Sequence, residues 1–324
     1  MEPLLNAPAA VQQAKASQKG LHWALEIVIF IAVFFVCMIG EMLLMLPIQA
    51  MLLMRDKTYL SALKSGNPDF IIEASENAIS GDVSLILSLF VTAVMTAIVF
   101  LFCKFIQKRR LSSLGFVKKG FASAYLKGLL LGFLMFSAAV LICVLTGSLK
   151  LTYSPERFAF PAFLFIAAGY MVQGMAEEVL CRGYFMVSLG RRYPMAAAAV
   201  INATAFAAMH LFNPGISPLA VINLILFGIF ASVCFIQTNN IWLIGALHSV
   251  WNLTQGNVYG IKVSGMDSRC SVFSASTPEG MEIFHGGAFG LEGGLAVTIV
   301  LMAGIAAMLF LLKNNKKEMA VEKL

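Results

Sequence analysis

Long apolar runs, broken at intervals by short polar segments, dominate this chain of 324 residues. A helix crosses the ~30 Å hydrocarbon core of a bilayer in about 20 residues. Eight runs reach or approach that length, near 22–48, 83–107, 124–147, 158–188, 194–212, 217–237, 240–259 and 291–312. The fifth to seventh are short or interrupted by polar residues, which suits helices packed inside a bundle around a cavity. The pattern predicts an all-α fold: a polytopic membrane helical bundle of about eight transmembrane helices with an intramembrane polar cavity. Five segments follow from it: a cytoplasmic N-terminal segment (1–21), three helices with their loops (22–157), a core of four helices (158–259), an extracytoplasmic loop (260–290), and a last helix with a basic cytoplasmic tail (291–324). The stretches 55–82 and 260–290 read as long loops that cap the outer face, and His285 within the second reads as a solvated loop histidine.

Composition excludes a soluble protein. The chain is 59% hydrophobic and only 12% charged, with a mean hydropathy of +0.84, whereas soluble domains run near ~45–50% apolar and ~25% charged. The first 21 residues are small and polar and the apolar run after them is too long for a signal-peptide core, so no cleavable signal is expected. Six cysteines stand singly with no CxxC pair, and they read as small buried hydrophobes rather than a disulfide framework.

The basic residues set an orientation. With the N-terminus inside, one face gathers Lys15, Lys19, Lys104, Lys108, Arg109, Arg110, Lys118, Lys119, Lys127, Arg191, Arg192 and tail lysines 313, 316, 317 and 323. That makes 15 basic residues inside against 7 outside, while the outer loops hold 10 of the 17 acids. An even number of spans agrees with both termini being cytoplasmic, in a multi-pass protein of the cell membrane. Lys127, Arg191 and Arg192 lie where side chains anchor helices or attract anionic lipid. Membrane lipids are therefore expected partners, and nothing points to nucleic acid.

Against this apolar background, Glu177, Glu178 and Arg182 interrupt the run GYMVQGMAEEVLCRGYFMV. Charges at bilayer depth cost at least ~2.5–3.5 kcal/mol each on insertion scales and mark functional sites by default. His210 and His248 sit in two further apolar segments. Residues four apart share a helix face, so Glu178 and Arg182 form a structural ion pair with the acid in the favourable N-terminal position. Glu177 projects elsewhere and is the free carboxylate. Phe206 with His210, and His248 with Asn252, are likewise four apart. A lone histidine on an apolar helix is more often packing than chemistry; two of them opposite a paired-acid helix argue otherwise.

A helical hairpin turning at Tyr193–Pro194 puts Glu177 and His210 at equal depth, roughly 24 Å from the turn at ~1.5 Å per residue. Gly128 and Gly132 form a GxxxG suited to close helix contact. Glu41, in the first span, is read as snorkelling to the outer interface, with cavity lining as the other possibility. The sequons at Asn202 and Asn252 fall within spans and are discounted.

Glu177-Glu178-x-x-x-Arg182, Phe206-x-x-x-His210 and His248-x-x-x-Asn252, in that order, resemble the CPBP family of CAAX-protease and bacteriocin-processing intramembrane proteases, which includes Rce1-type prenyl-protein proteases and bacterial self-immunity (Abi) proteins. The resemblance covers about residues 170–255. Neither HExxH nor GxSxG is present. It implies an intramembrane endopeptidase acting on lipophilic or membrane-associated peptides or lipidated proteins, with 158–259 as its catalytic core and Glu177, His210, His248 and Asn252 as catalytic residues.

Two arrangements remain open at this stage. In one, Glu177 with His210 activates water while His248 and Asn252 donate to the oxyanion. In the other, Glu177, His210 and His248 bind Zn2+ as a metalloendopeptidase would. No carboxylate partner for either histidine is legible from sequence, which favours the metal-free arrangement. From other classes, a proton-coupled transporter would also bury Glu and His, although no internal repeat supports it. A non-catalytic bacteriocin self-immunity protein would keep the motif for folding alone.

Overall fold

The computed structural model describes residues 5–79 and 81–321, with side chains to residue 314. Residues 1–4 of the N-terminal segment and the side chains of Lys316, Lys317 and Lys323 lie outside the described residues. The chain is a helical bundle in which six helices are long and apolar enough to cross a membrane, among the described residues. They are α2 (Trp23–Arg55), α5 (Asp82–Ile106), α6 (Phe121–Leu145), α7 (Phe160–Gly190), α9 (Pro218–Thr238) and α12, whose apolar part is Leu295–Asn314. The fifth expected span is present as the shorter helix α8 (Met195–Ala208), and the seventh as α10 (Ile241–Leu253), which winds on as a π stretch to Val258. The sixth is not short: α9 is 21 residues long, because its polar Asn223 and Ser232 bond within the bundle and do not break the helix.

Other expectations change. The segment 1–21 carries a docked helix, α1 (Ala9–Ser17), whose Ala10, Val11 and Ala14 are buried. The first span runs seven residues past its expected end through Pro47, which a membrane helix tolerates when neighbours satisfy the freed backbone. The 55–82 stretch is not a plain loop but two amphipathic helices, α3 (Lys57–Ser65) and α4 (Pro68–Ile79). The stretch 260–290 contains β2 (Phe273–Ser276), paired antiparallel with β1 (Lys150–Tyr153), and a short α11 (Glu282–His285). His285 is buried rather than solvated: its ring contacts the Pro278 carbonyl at 3.3 Å and accepts from Gly287 N at 3.2 Å. Loop length misled here, since the stretch folds onto itself.

Two features position the site. The first is a glycine clamp on α10. Gly128 and Gly132 on α6 lie against the carbonyls of Leu243 and Leu247, and Gly174 on α7 lies against the Ser249 backbone. A Cβ at Gly174 would stand 2.6 Å from Ser249 N, so glycine is what allows this approach. The helix carrying His248 is thus seated on both sides against neighbouring backbone. The second is a π-helical stretch, Val179–Met186, inside α7, directly after Glu178. Such bulges widen the helix by one residue and often accompany functional sites.

The face holding most of the basic residues is tied together by turned-in cations. Arg191 pairs with Glu26 at 3.0 Å, both side chains almost fully buried. Arg191 is therefore not a lipid-facing anchor; it links α7 to α2. Arg109 donates to Gln107, Ser113 and the Gly183 carbonyl, and burial pushes its guanidinium down to about 10.

Candidate active site

Glu177 sits just past the middle of α7, His210 in the turn just after α8, and His248 and Asn252 on successive turns of α10. All four line one cavity of about 250 Å³ within the bundle. Glu178 and Arg182 do not line it; they are fully buried beneath its floor. Glu177 and His210 both line this cavity. The unbroken helices assumed for their depth are absent, since α7 carries the π stretch and α8 ends at Ala208.

Arg182 Nη1 donates to Glu178 Oε1 at 2.7 Å, as the four-residue spacing leads one to expect. The same oxygen stands 2.9 Å from His248 Nδ1. Glu178 is thus more than a structural ion-pair partner. It supplies the histidine with the carboxylate that sequence could not identify, because that contact joins residues 70 apart in the chain. A carboxylate accepts and cannot donate when ionised, so Nδ1 carries the proton and Nε2 faces the remaining groups. His248 Nε2 lies 3.8 Å from Glu177 Oε2, a gap too long for a direct hydrogen bond. That carboxylate oxygen is buried and has no hydrogen-bond partner among the described residues.

His210 Nδ1 bonds the Phe206 carbonyl at 2.9 Å. A carbonyl only accepts, so Nδ1 is protonated and a neutral ring keeps the Nε2 lone pair free. Phe206 itself is a partition. Its ring lies 4.8 Å from the His210 ring, 5.9 Å from that of His248, and under the Arg182 guanidinium at 4.7 Å. Arg182 thereby receives a π face where two of its nitrogens have no hydrogen-bond partner among the described residues. Phe227 closes on His248 from the other side, with ring centroids 4.9 Å apart.

Gln173 is the residue that sequence reading missed. Its amide donates a short hydrogen bond to Glu177 Oε1 and accepts one from Asn252 Nδ2 at 3.0 Å. It lies four residues before Glu177, so the spacing that revealed Glu178–Arg182 could have found it too. Tyr170, Asn213, Asn223, Ser264 and Glu292 also line the cavity and were not anticipated. Glu292 caps Ser264, taking both its N–H and its hydroxyl at 2.8 Å.

Glu41 neither reaches a helix end nor lines the cavity. It is half-buried, and Oε1 is enclosed without a partner among the described residues. Snorkelling to the interface does not describe it, because that oxygen is closed off from the surface of the bundle.

For a metal the fit is poor. Among the described residues no three His, Cys, Asp or Glu side chains are grouped closely enough to hold an ion. Glu177 and His248 approach each other, but His210 shares the cavity without completing a ligand set.

Residues 159–254 match the family described as Type II CAAX prenyl endopeptidase Rce1-like. The matched stretch contains every motif residue from Glu177 to Asn252, and it leaves α2 to α6 and α12 outside. No curated protein and no solved structure matches the chain. With six apolar spans, the match supports an integral membrane protease.

Proposed function

We propose, from the match of residues 159–254 to the Rce1-like family, that the chain is an intramembrane endopeptidase that hydrolyses membrane-associated peptides with a water activated by Glu177 and His210. The observation that carries this reading is the convergence of Glu177, His210, His248 and Asn252 on one cavity within the bundle. Each has an atom available for the work. Glu177 Oε2 is unpartnered, His210 Nε2 is an acceptor, His248 Nε2 faces Glu177, and Asn252 Nδ2 keeps one hydrogen beyond the one given to Gln173.

In this mechanism Glu177 and His210 accept hydrogen bonds from one water, and Glu177 takes its proton as the oxygen attacks the scissile carbonyl. The carbonyl oxygen becomes an oxyanion held by Asn252 Nδ2–H and by protonated His248 Nε2, for which Glu178 is the counter-charge. Donors of this kind are often worth about 2.7–4 kcal/mol each. Glu177 then returns the proton to the departing amine. The apolar cavity walls lower the local dielectric around these groups, which strengthens each charged contact inside. No step is routed through a metal.

Purified protein carrying Glu177→Gln or His248→Ala is expected to lose cleavage of a reporter peptide while keeping its fold. Undiminished cleavage by both variants would overturn the assignment. Peptides carrying an apolar or lipidated end are the substrate type that fits a site set among apolar helices.

A further inference from the structure

The bundle has two distinct ends, and the cavity belongs to only one. At one end lie the Arg191–Glu26 pair, the bond from Trp23 N to the Tyr193 hydroxyl, and the bond from Ile241 N to the Gly115 carbonyl. At the other lie the β1–β2 ribbon, the bond from Cys270 N to Asp82, and those from Asn223 to the carbonyls of Glu292 and Gly294. Among the described side chains the first end carries 12 basic residues and the second only 7, together with 10 acids. By the positive-inside rule the first end is cytoplasmic.

The cavity runs from Glu177 and His248 toward the second end. Its walls come from the opening turns of α5, α9 and α12, and its roof from Val263, Ser264, Met266 and Glu292. Among the described residues, none from the turns at the basic end lines it. Below Glu177, residues 178–190 are buried without a break and fill the route toward that end. The mouth, in contrast, is open: Met266 is 60% exposed and Ser88 on α5 is exposed, yet both line the cavity. Apolar side chains project beside it, with Phe212 98% exposed in the turn between His210 and Asn213.

We infer that this site receives its substrate from the non-cytoplasmic side of the membrane. The substrate class is then a peptide segment already translocated, or displayed in the outer leaflet, with an apolar flank that meets Phe212 and Met266. A chain whose lipidated end stays on the cytoplasmic face would not reach Glu177. The inference rests on the protease reading for its chemistry and on charge distribution for its direction.

The test uses sealed membrane vesicles containing the full chain. All six native cysteines are buried, so background labelling is low. Met266→Cys at the mouth, and Glu279→Cys in case the first fails to fold, should react with an impermeant maleimide in right-side-out vesicles. Lys118→Cys should react only in inside-out vesicles. The reverse pattern would overturn the inference. An impermeant fluorogenic peptide bearing a fatty-acyl tail should be cleaved by right-side-out vesicles, and cleavage confined to inside-out vesicles would also overturn it. Absence of cleavage even by detergent-solubilised protein would instead remove the protease reading, while the labelling pattern still decides which side the mouth faces.

Discussion

Glu178 Oε1 holds His248 Nδ1 at 2.9 Å while accepting from Arg182 Nη1 at 2.7 Å, so one buried oxygen serves both an imidazole and a guanidinium. Replacing Glu178 by Gln keeps the volume but removes the charge that both partners share. Partners that orient a working histidine are typically worth about 10- to 100-fold. Glu178→Gln is therefore expected to lower kcat by about that factor with little change in KM, in steady-state cleavage of a reporter peptide. Equal kcat in variant and parent would reduce Glu178 to a packing role.

Gln173 should behave as a positioning residue. Gln173→Leu removes the donor to Glu177 and the acceptor for Asn252 together. A fall in kcat of about tenfold or more is expected, with KM within about threefold, the pattern of an interaction that matters in the transition state. Gln173→Glu should do no better, since it can still accept from Asn252 but sets a second carboxylate against Glu177. If Gln173→Glu matched the parent, the bridging role would be lost.

The Glu26–Arg191 pair offers a test of stability away from the cavity. Both partners are buried and 3.0 Å apart. Breaking such a pair from one side costs about 3–5 kcal/mol, whereas replacing both with apolar residues is often near neutral. Glu26→Gln should lower the thermal midpoint in detergent, and Glu26→Leu combined with Arg191→Met should recover most of it. Additive losses would contradict a coupled pair.

The glycine clamp predicts a coupled defect. Gly132→Leu forces a side chain against the Leu247 carbonyl, and overpacking of this kind costs about 1–3 kcal/mol or more. Reduced thermal stability is expected together with reduced cleavage, because α10 carries His248 and Asn252. Cleavage at the parental rate in a destabilised variant would show that α10 can shift without disturbing the site.

Metal dependence separates the two chemical arrangements. Full activity is expected at sub-stoichiometric zinc and after chelation, measured by elemental analysis alongside peptide cleavage. Activity that fell with chelator and returned on adding Zn2+ would assign Glu177, His210 and His248 to an ion instead.

Much of this architecture is legible from spacing, because a bilayer demands long apolar runs and punishes buried charge. Six helices long enough to cross lie where hydropathy puts them among the described residues, with α8 and α10 at the fifth and seventh expected places, and the Glu178–Arg182 contact follows from a separation of four. What escaped notice depends on contacts distant in sequence. The Glu178–His248 bond spans 70 residues, and the Asn252–Gln173 bond spans 79. Polar outer segments deceive in another way. Glycine-rich stretches such as 286–294 look like open loop, yet Gly286 and Gly290 adopt positive φ to fold the chain tightly over His285 and Glu292. Membrane-facing periodicity carries no information about such turns.

The π stretch at Val179–Met186 leaves the helix with one surplus residue directly below the acid doublet. Removing a single residue there would restore regular winding while the turns on either side keep their facing. A deletion in the regular turns upstream would instead swing Glu177 by about 100° off the cavity. Single-residue length variation among homologous chains should therefore be confined to Val179–Met186 and absent from Gln173 to Glu178.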